Sequence, residues 1–374
     1  MKGKLYSLLI IVPVACFALV LVGLSFYLQP FYGDLTRVGG YPENLYGWNE
    51  PQLGFSEIGT SYLDYREVDD EIDYLVLGDS FSHICGESRE TAALGCFQWT
   101  AFFKDITGYN GFTFHQDSFS IKELAWRKGQ GYSPEELISK IQALDLKPKF
   151  VVFQSVERLV ASRLQRYARI LGCGDSEELL TPQLRPYESA DLFEKARVRA
   201  KDALYYDLNA PIAVIKHRLS RKKQKQVNLI PVNTDLSLFS SEIKDEVLVS
   251  HDDFKLKYRL TDDDIVEARC GLKAFSGFVQ RELGIPVVFA ITPDKSSIYQ
   301  EWSTGYQYQV PSIIPKLASD DVWFIDLREP MIEAVKKGVT DVYMPNDTHW
   351  GANGAKIASN ELIKLLDQMK ASGK

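Results

Sequence analysis

Near the end of the chain stands NDTHWGANGA, Asn346 to Ala355, which sets an Asp and a His two positions apart. A carboxylate beside an imidazole has a specific use. It fixes the ring tautomer, so that the far nitrogen can take a proton from a hydroxyl. In a loop, Asp347 can reach Nδ1 of His349 from two residues away, which a regular helix would not allow. Ser80, in LVLGDSFS, offers the hydroxyl. Gly78 permits a tight turn there, and a following helix would aim N–H groups at a developing oxyanion. Alone, G-D-S is a common turn and D-x-H a plausible helix cap. Together, one after the first strong strand and one before the last helix, they describe a nucleophile Ser80, a base His349 and an orienting acid Asp347.

Elements must bring these residues together across the chain. EIDYLVLGDS, KPKFVVFQS, GIPVVFAIT and DDVWFIDL read as short buried strands. Helical patterns lie between them. SPEELISKIQAL opens with the capping-box spacing of Ser133 and Glu136. TDDDIVEARCGLKAFSGFVQREL has an acidic first turn and Gly284 just past its end. In the last helix Ala358, Leu362, Leu365, Leu366 and Met369 share one face. Strands alternating with helices predict an α/β domain whose parallel sheet is covered on both faces. Sites in such folds form at the carboxyl ends of strands, and Ser80 directly follows one.

The chain has 374 residues, enough for a sizeable core. Lys plus Arg is 43 and Asp plus Glu is 50, a net charge of −7 that argues against nucleic acid as a partner. Leu5 to Leu28 carries no charge. About 24 helical residues span ~36 Å, enough to cross a ~30 Å hydrocarbon core. Lys2 and Lys4 precede it, which keeps the N-terminus cytoplasmic and exports the rest. The rival is a cleaved signal peptide, but no A-x-A follows the run. The predicted division is a cytoplasmic tip at 1–4, a transmembrane anchor at 5–28, a linker at 29–70 and a catalytic domain at 71–370. An insertion at about 160–255 breaks the strand-helix rhythm. It contains the basic run Lys216 to Gln226, either a solvated loop or a contact for an anionic partner.

Cys16 falls within the apolar run. Cys85, Cys96, Cys173 and Cys270 allow two disulfides in an oxidising compartment, or free buried thiols. No C-x-x-C occurs. His83 reads as a turn residue near Ser80, His115 as a strand end, and His217 belongs to the basic run. No pair of histidines has metal-ligand spacing, so neither a metal nor another cofactor is expected.

LVLGDSFS and DTHWGANGA resemble the first and last blocks of the SGNH (GDSL) hydrolases. D-T-H-W, the Glu157-Arg158 pair of VVFQSVERLV and the Pro293-Asp294-Lys295 of ITPDKSSIY resemble a narrower branch. That branch is the SGNH-like domain of the alginate O-acetyltransferases AlgX and AlgJ and related polysaccharide acetylation proteins. The resemblance covers about residues 70 to 370. It implies an exported, flavodoxin-like three-layer domain that moves acetyl groups on a polysaccharide, with Ser80, His349 and Asp347 in the roles given above. In the alginate proteins the D-x-H block precedes the serine block. Here it follows, so alginate need not be the substrate.

The Gly and Asn that complete the family's oxyanion hole are not evident. Gln154 stands near the place of the Asn, either as an amide donor or as a satisfied strand-end amide. Arg158 is an anion binder or an ion-pair partner, and Lys295 and Tyr299 are candidates for the cleft wall. Trp350 suits stacking on a sugar or packing beside the triad, and Tyr306 and Tyr308 suit an acceptor groove.

The resemblance implies an O-acetyltransferase in the cytoplasmic membrane with its domain in the periplasm or outside the cell. Its partners would be a polysaccharide acceptor and a multi-pass membrane-bound O-acyltransferase supplying acetyl. An acetylesterase would use the same residues with water as acceptor. A non-catalytic polysaccharide-binding assembly factor would keep the fold without needing the three.

Overall fold

The computed structural model describes residues 12–14, 16, 33–39, 41, 43–47, 71–82, 99–116, 133–172, 227–304 and 310–372. In chain order, the elements used below begin with helix α1 (Asp34–Gly39), strand β1 (Tyr74–Gly78), α2 (Trp99–Thr107), β2 (Gly111–His115) and α3 (Pro134–Ala143). Then come β3 (Phe150–Val156), α4 (Glu157–Leu171), β4 (Val227–Pro231), β5 (Glu246–Ser250), α5 (Asp262–Leu283) and β6 (Val287–Thr292). The last are α6 (Lys295–Tyr299), β7 (Trp323–Asp326), α7 (Arg328–Lys336) and α8 (Ala352–Ala371).

All four runs read as strands are strands, and GFTFH adds a fifth. They form one sheet in the order β2-β1-β3-β6-β7, with every neighbouring pair parallel. The chain steps outward from β1 to β2 and then crosses back to β3. The order therefore reverses between β1 and β3, the point at whose strand ends folds of this kind form their sites.

Side chains alternate along each strand, so the sheet builds two cores. Tyr74 and Val76 of β1, Val152 of β3 and Val288 of β6 face one cluster with α2, α7 and α8. Leu75, Leu77, Phe153 and Phe289 face the other, with α3, α4 and α5. Burying each such Val, Leu or Phe is worth ~1.5–3 kcal/mol, which makes a one-residue slip of register prohibitive. The helix ends follow the sequence signals. Ser133 and Glu136 exchange both capping-box bonds, and Thr261 and Asp264 do the same at α5. Gly284 closes α5 at φ 72°.

Residues 160–171 belong to α4, a layer of the main domain, so the first part of the stretch predicted at about 160–255 continues that layer. The rest of that stretch's described part holds the antiparallel hairpin β4-β5, which the sequence reading left unassigned. The linker 29–70 is not simply a spacer. Leu35 and Tyr46 are buried against Val227 and Leu248 of that hairpin, which docks α1 and the turn Glu43–Tyr46 onto the domain.

No helix among the described residues is long and apolar enough to cross a membrane. The predicted anchor lies outside the described residues except for 12–14 and 16. The basic run, His83, His217, Cys85, Cys96 and Cys173 also lie outside them. Cys270 is disulfide-bonded, and Cys16 is a free thiol.

Candidate active site

Ser80 sits just past β1, on the β1 side of the switch point. Its turn is fixed by Asp79, whose buried carboxylate accepts from the N–H of Phe81 at 3.1 Å, from the N–H of Val156 at 2.7 Å and from Arg163 Nη1 at 2.7 Å. Burial opposes that charge, but Arg163 and the N–H donors hold the pKa below the usual carboxylate range. The N–H of Ser82 closes the turn on the carbonyl of Asp79 at 2.9 Å. Gly78 is required for space. A Cβ there would lie 2.6 Å from Cβ of Ser82.

His349 comes from the loop between α7 and α8. Its Nε2 lies 2.7 Å from Ser80 Oγ, and its Nδ1 lies 2.6 Å from Asp347 Oδ1. An ionised carboxylate only accepts, so Nδ1 carries the proton and Nε2 is left to accept from the Ser80 hydroxyl. The Phe81 ring packs 4.7 Å from the imidazole. Asp347 Oδ1 also accepts the N–H of His349 at 3.0 Å, and Oδ2 accepts the N–H of Asp34 at 2.8 Å. Burial works against the Asp347 charge. His349 and these N–H donors overcome it and lower the pKa to about 2. Burial likewise disfavours imidazolium, yet the carboxylate of Asp347, assisted by Asp34, raises His349 above its ordinary 6.5. Ser80 is exposed, while His349 and Asp347 are half-buried.

The other candidates fare differently. Gln154 is buried, and its amide bonds through both its oxygen and its nitrogen. Oε1 accepts from Asp79 N at 3.0 Å and Ser82 Oγ at 2.8 Å, while Nε2 donates to Thr292 Oγ1 at 2.9 Å. It braces the turn at Ser80. Arg158 forms ion pairs with Asp294 at 2.7 Å and Asp253 at 3.4 Å, the structural alternative to anion binding. Lys295 and Tyr299 are buried on α6 and do not line an open cleft. Lys295 Nζ donates to the carbonyls of Met344, Pro345 and Asp347, and so shapes the His349 loop. Burial lowers its pKa to about 7. Trp350 is 1% exposed and meets Phe81 edge-to-face at 5.0 Å, so it packs beside the site and cannot stack on a sugar. Tyr306, Tyr308 and the helix expected after Ser80 lie outside the described residues.

The V-E-R and P-D-K motifs meet in a buried charge cluster behind the site. Glu157 accepts from the N–H of Asp294 at 3.0 Å, from Ser297 Oγ at 2.5 Å and from the N–H of Ile313 at 2.9 Å. Lys257 Nζ lies 3.3 Å from Asp294 and 3.5 Å from Glu157. Two cations thus face three carboxylates, Glu157, Asp253 and Asp294. Burial, with Asp294 beside it, pushes Asp253 up to about 7, which relieves the excess charge. Lys257 was not legible as part of this cluster, because nothing near it in sequence marks it.

Asp34, Asp347 and His349 bring one ligand atom each within 4.8 Å of one another. Every one of these atoms already serves the hydrogen bonds above or those of Thr348 with Asp34. No pattern in the sequence around Asp34, within the predicted linker, marks it as part of this site.

No curated protein and no solved structure matches the chain. Residues 272–374 match the family model described as the SGNH hydrolase-like domain of the acetyltransferase AlgX. The matched segment runs from within α5 to the end and includes Asp347 and His349 but not Ser80. It suggests a function related to polysaccharide acetylation, with acyl or acetyl chemistry at an SGNH-type site. The match supports the SGNH, AlgX-like family that the motifs resemble, and over residues 272–374 the chain is similar to that domain.

Proposed function

We propose that this chain is a membrane-anchored, extracytoplasmic O-acetyltransferase that acetylates a polysaccharide through Ser80. The observation that carries the reading is the hydrogen-bonded series from Ser80 Oγ through His349 to Asp347. His349 Nε2 takes the hydroxyl proton as Oγ attacks the donor's acetyl carbonyl. Asp347 holds the imidazolium that forms. The N–H of Ser80, which makes no hydrogen bond among the described residues, is available to the oxyanion. Collapse of the tetrahedral species breaks the bond to the donor, and His349 returns the proton to the leaving oxygen or sulfur. The resulting acetyl-Ser80 is then attacked by a sugar hydroxyl, with His349 again taking the proton. The acetyl ester passes to the sugar, and Ser80 regains its hydrogen.

Transfer is favoured over hydrolysis by the AlgX likeness and by the uncharged run Leu5 to Leu28. A tethered domain outside the membrane has no access to cytoplasmic acetyl-CoA. A multi-pass O-acyltransferase delivering acetyl across the membrane meets that need. An acceptor hydroxyl held in near-attack geometry gains ~7–11 kcal/mol over random encounter, enough to compete with water.

The test incubates the purified chain with an activated acetyl ester, with and without polysaccharide oligomers. Mass spectrometry follows acetyl on the Ser80 peptide, acetylated sugar and free acetate. Acetylated oligomer supports transfer. Acetate as sole product, together with unchanged polysaccharide acetylation after gene deletion, makes the protein an esterase.

A further inference from the structure

Helix α1 reaches the site from the opposite end of the sequence. The N–H of Asp34 donates to Oδ2 of Asp347 at 2.8 Å, the oxygen that His349 does not use. The Asp34 carboxylate returns to the same loop. Oδ1 accepts the N–H of Thr348 at 2.8 Å, and Oδ2 accepts Thr348 Oγ1 at 2.6 Å. The N–H groups of Leu35 and Thr36 donate to the carbonyl of Asn346 at 3.1 and 3.3 Å. The side-chain amide of Asn346 bonds to Glu43, whose second oxygen accepts from Thr36 Oγ1. Three consecutive loop residues, Asn346, Asp347 and Thr348, are thus gripped by one short segment. The fit is tight, since a Cβ on Gly33 would fall 1.9 Å from the Asn346 carbonyl oxygen.

We propose that Asp34 is a positioning residue of this active site, and that residues 33–39 together with Glu43, close behind the predicted membrane anchor, complete the site. Its N–H fixes the rotamer of the acid, its carboxylate fixes the backbone that carries the base, and its charge adds to that of Asp347 beside the imidazole. The inference rests on the reading of Ser80 as an acyl-transfer nucleophile. A strut would need only neutral packing. A second carboxylate within 4.8 Å of the base also raises the imidazole's affinity for a proton.

The groups around His349 set the sign. Asp347 and Asp34 raise its pKa, and Arg158 lowers it. Lys295 faces both carboxylates. Asp34 itself is raised to about 6 by burial and by Asp347, while the neighbouring His349 favours its charged form. Removing its charge therefore makes His349 easier to deprotonate and moves the acid limb of reactivity to lower pH.

The experiment uses the full-length chain in detergent and a fluorophosphonate, which labels an activated serine without any acyl donor. Labelling rate is measured against pH for wild type, Asp34→Asn, Asp34→Ala and a Ser80→Ala blank. The Asn variant keeps one acceptor for the Thr348 N–H. It should label within about threefold of wild type at high pH, with its acid limb about one unit lower. The Ala variant should show the same shift and a plateau lower by about 10- to 100-fold, the cost of a misplaced base. If the Ala variant does not fold, the midpoint of the Asn variant decides alone. Wild-type plateaus and midpoints in both variants, or lower plateaus with an unmoved midpoint, overturn the inference. No Ser80 labelling in the wild type would overturn the acyl-transfer reading, and this inference with it.

Discussion

Lys295 Nζ stands 3.3 Å from the carbonyl oxygen of Asp347, and the same ammonium donates to the carbonyls of Met344 at 2.7 Å and Pro345 at 2.9 Å. Three donors meet three carbonyls, so the lysine of P-D-K acts on the D-x-H block as a template for its backbone. Lys295→Met would keep the length of the side chain and leave those carbonyls without a donor. Losing such bonds to a charged group costs ~1.5–3 kcal/mol each at most, and their sum is reduced by local rearrangement. The expected outcome is an unfolding free energy, from chemical denaturation, lowered by roughly several kcal/mol, and a kcat that falls with little change in KM. A variant with native stability and native kcat would mean that the loop holds its own shape.

Ser80→Ala should abolish acyl transfer while leaving stability within ~0.5 kcal/mol, because the side chain is exposed and makes one hydrogen bond among the described residues. His349→Ala should do the same to turnover. Asp347→Asn should cost about 10⁴-fold, because an amide can donate to Nδ1 and stabilise the wrong tautomer. The measurement is initial rate with an activated ester, beside thermal unfolding of each variant. Normal turnover by a folded Ser80→Ala protein would remove Ser80 from the mechanism.

What the sequence made legible follows physical locality. The apolar runs of β1, β3, β6 and β7, the caps at Ser133 and Thr261 and the stop at Gly284 are set by residues within a few positions of one another. Ser80 and His349 were legible because each lies at the end of such an element, where this topology brings strand ends together. The pairing of Asp34 with Asp347 joins residues 313 apart, and no local pattern announces it. Gln154 and Trp350 show a different limit. Their chemistry permits a role with substrate, but only the packing around them reveals that the amide braces the Ser80 turn and that the indole is enclosed.

Gly271 offers a test of the fold apart from the site. It lies on α5 where that helix crosses α4, and a Cβ there would be 1.9 Å from the carbonyl oxygen of Leu164 and 2.9 Å from the N of Ala168. Both are backbone atoms, which cannot turn aside as a side chain would. Gly271→Ala must push the helices apart, at ~1–3 kcal/mol or more. Thermal unfolding should fall by several degrees, while the kcat of the folded fraction stays within twofold. An unchanged melting temperature would show that the interface is looser than the distances state.

The pH dependence of turnover depends on which state of His349 can act. As a base it must be neutral, so activity is absent where the ring is protonated and rises as pH climbs through its pKa. Burial alone would drive that pKa down, but the Asp347 carboxylate outweighs it, so the midpoint should lie above the ordinary 6.5. Asp347, at about 2, stays ionised throughout and adds no second limb in the working range. Asp347→Asn removes the largest charge that raises the ring. Its residual activity should rise at lower pH than in the wild type, although its plateau is far smaller. A profile of kcat/KM from pH 5 to 9, with an ester whose own hydrolysis is subtracted, reads both midpoints. A wild-type midpoint below 6.5, or one that Asp347→Asn leaves in place, would mean that the titrating base is not His349.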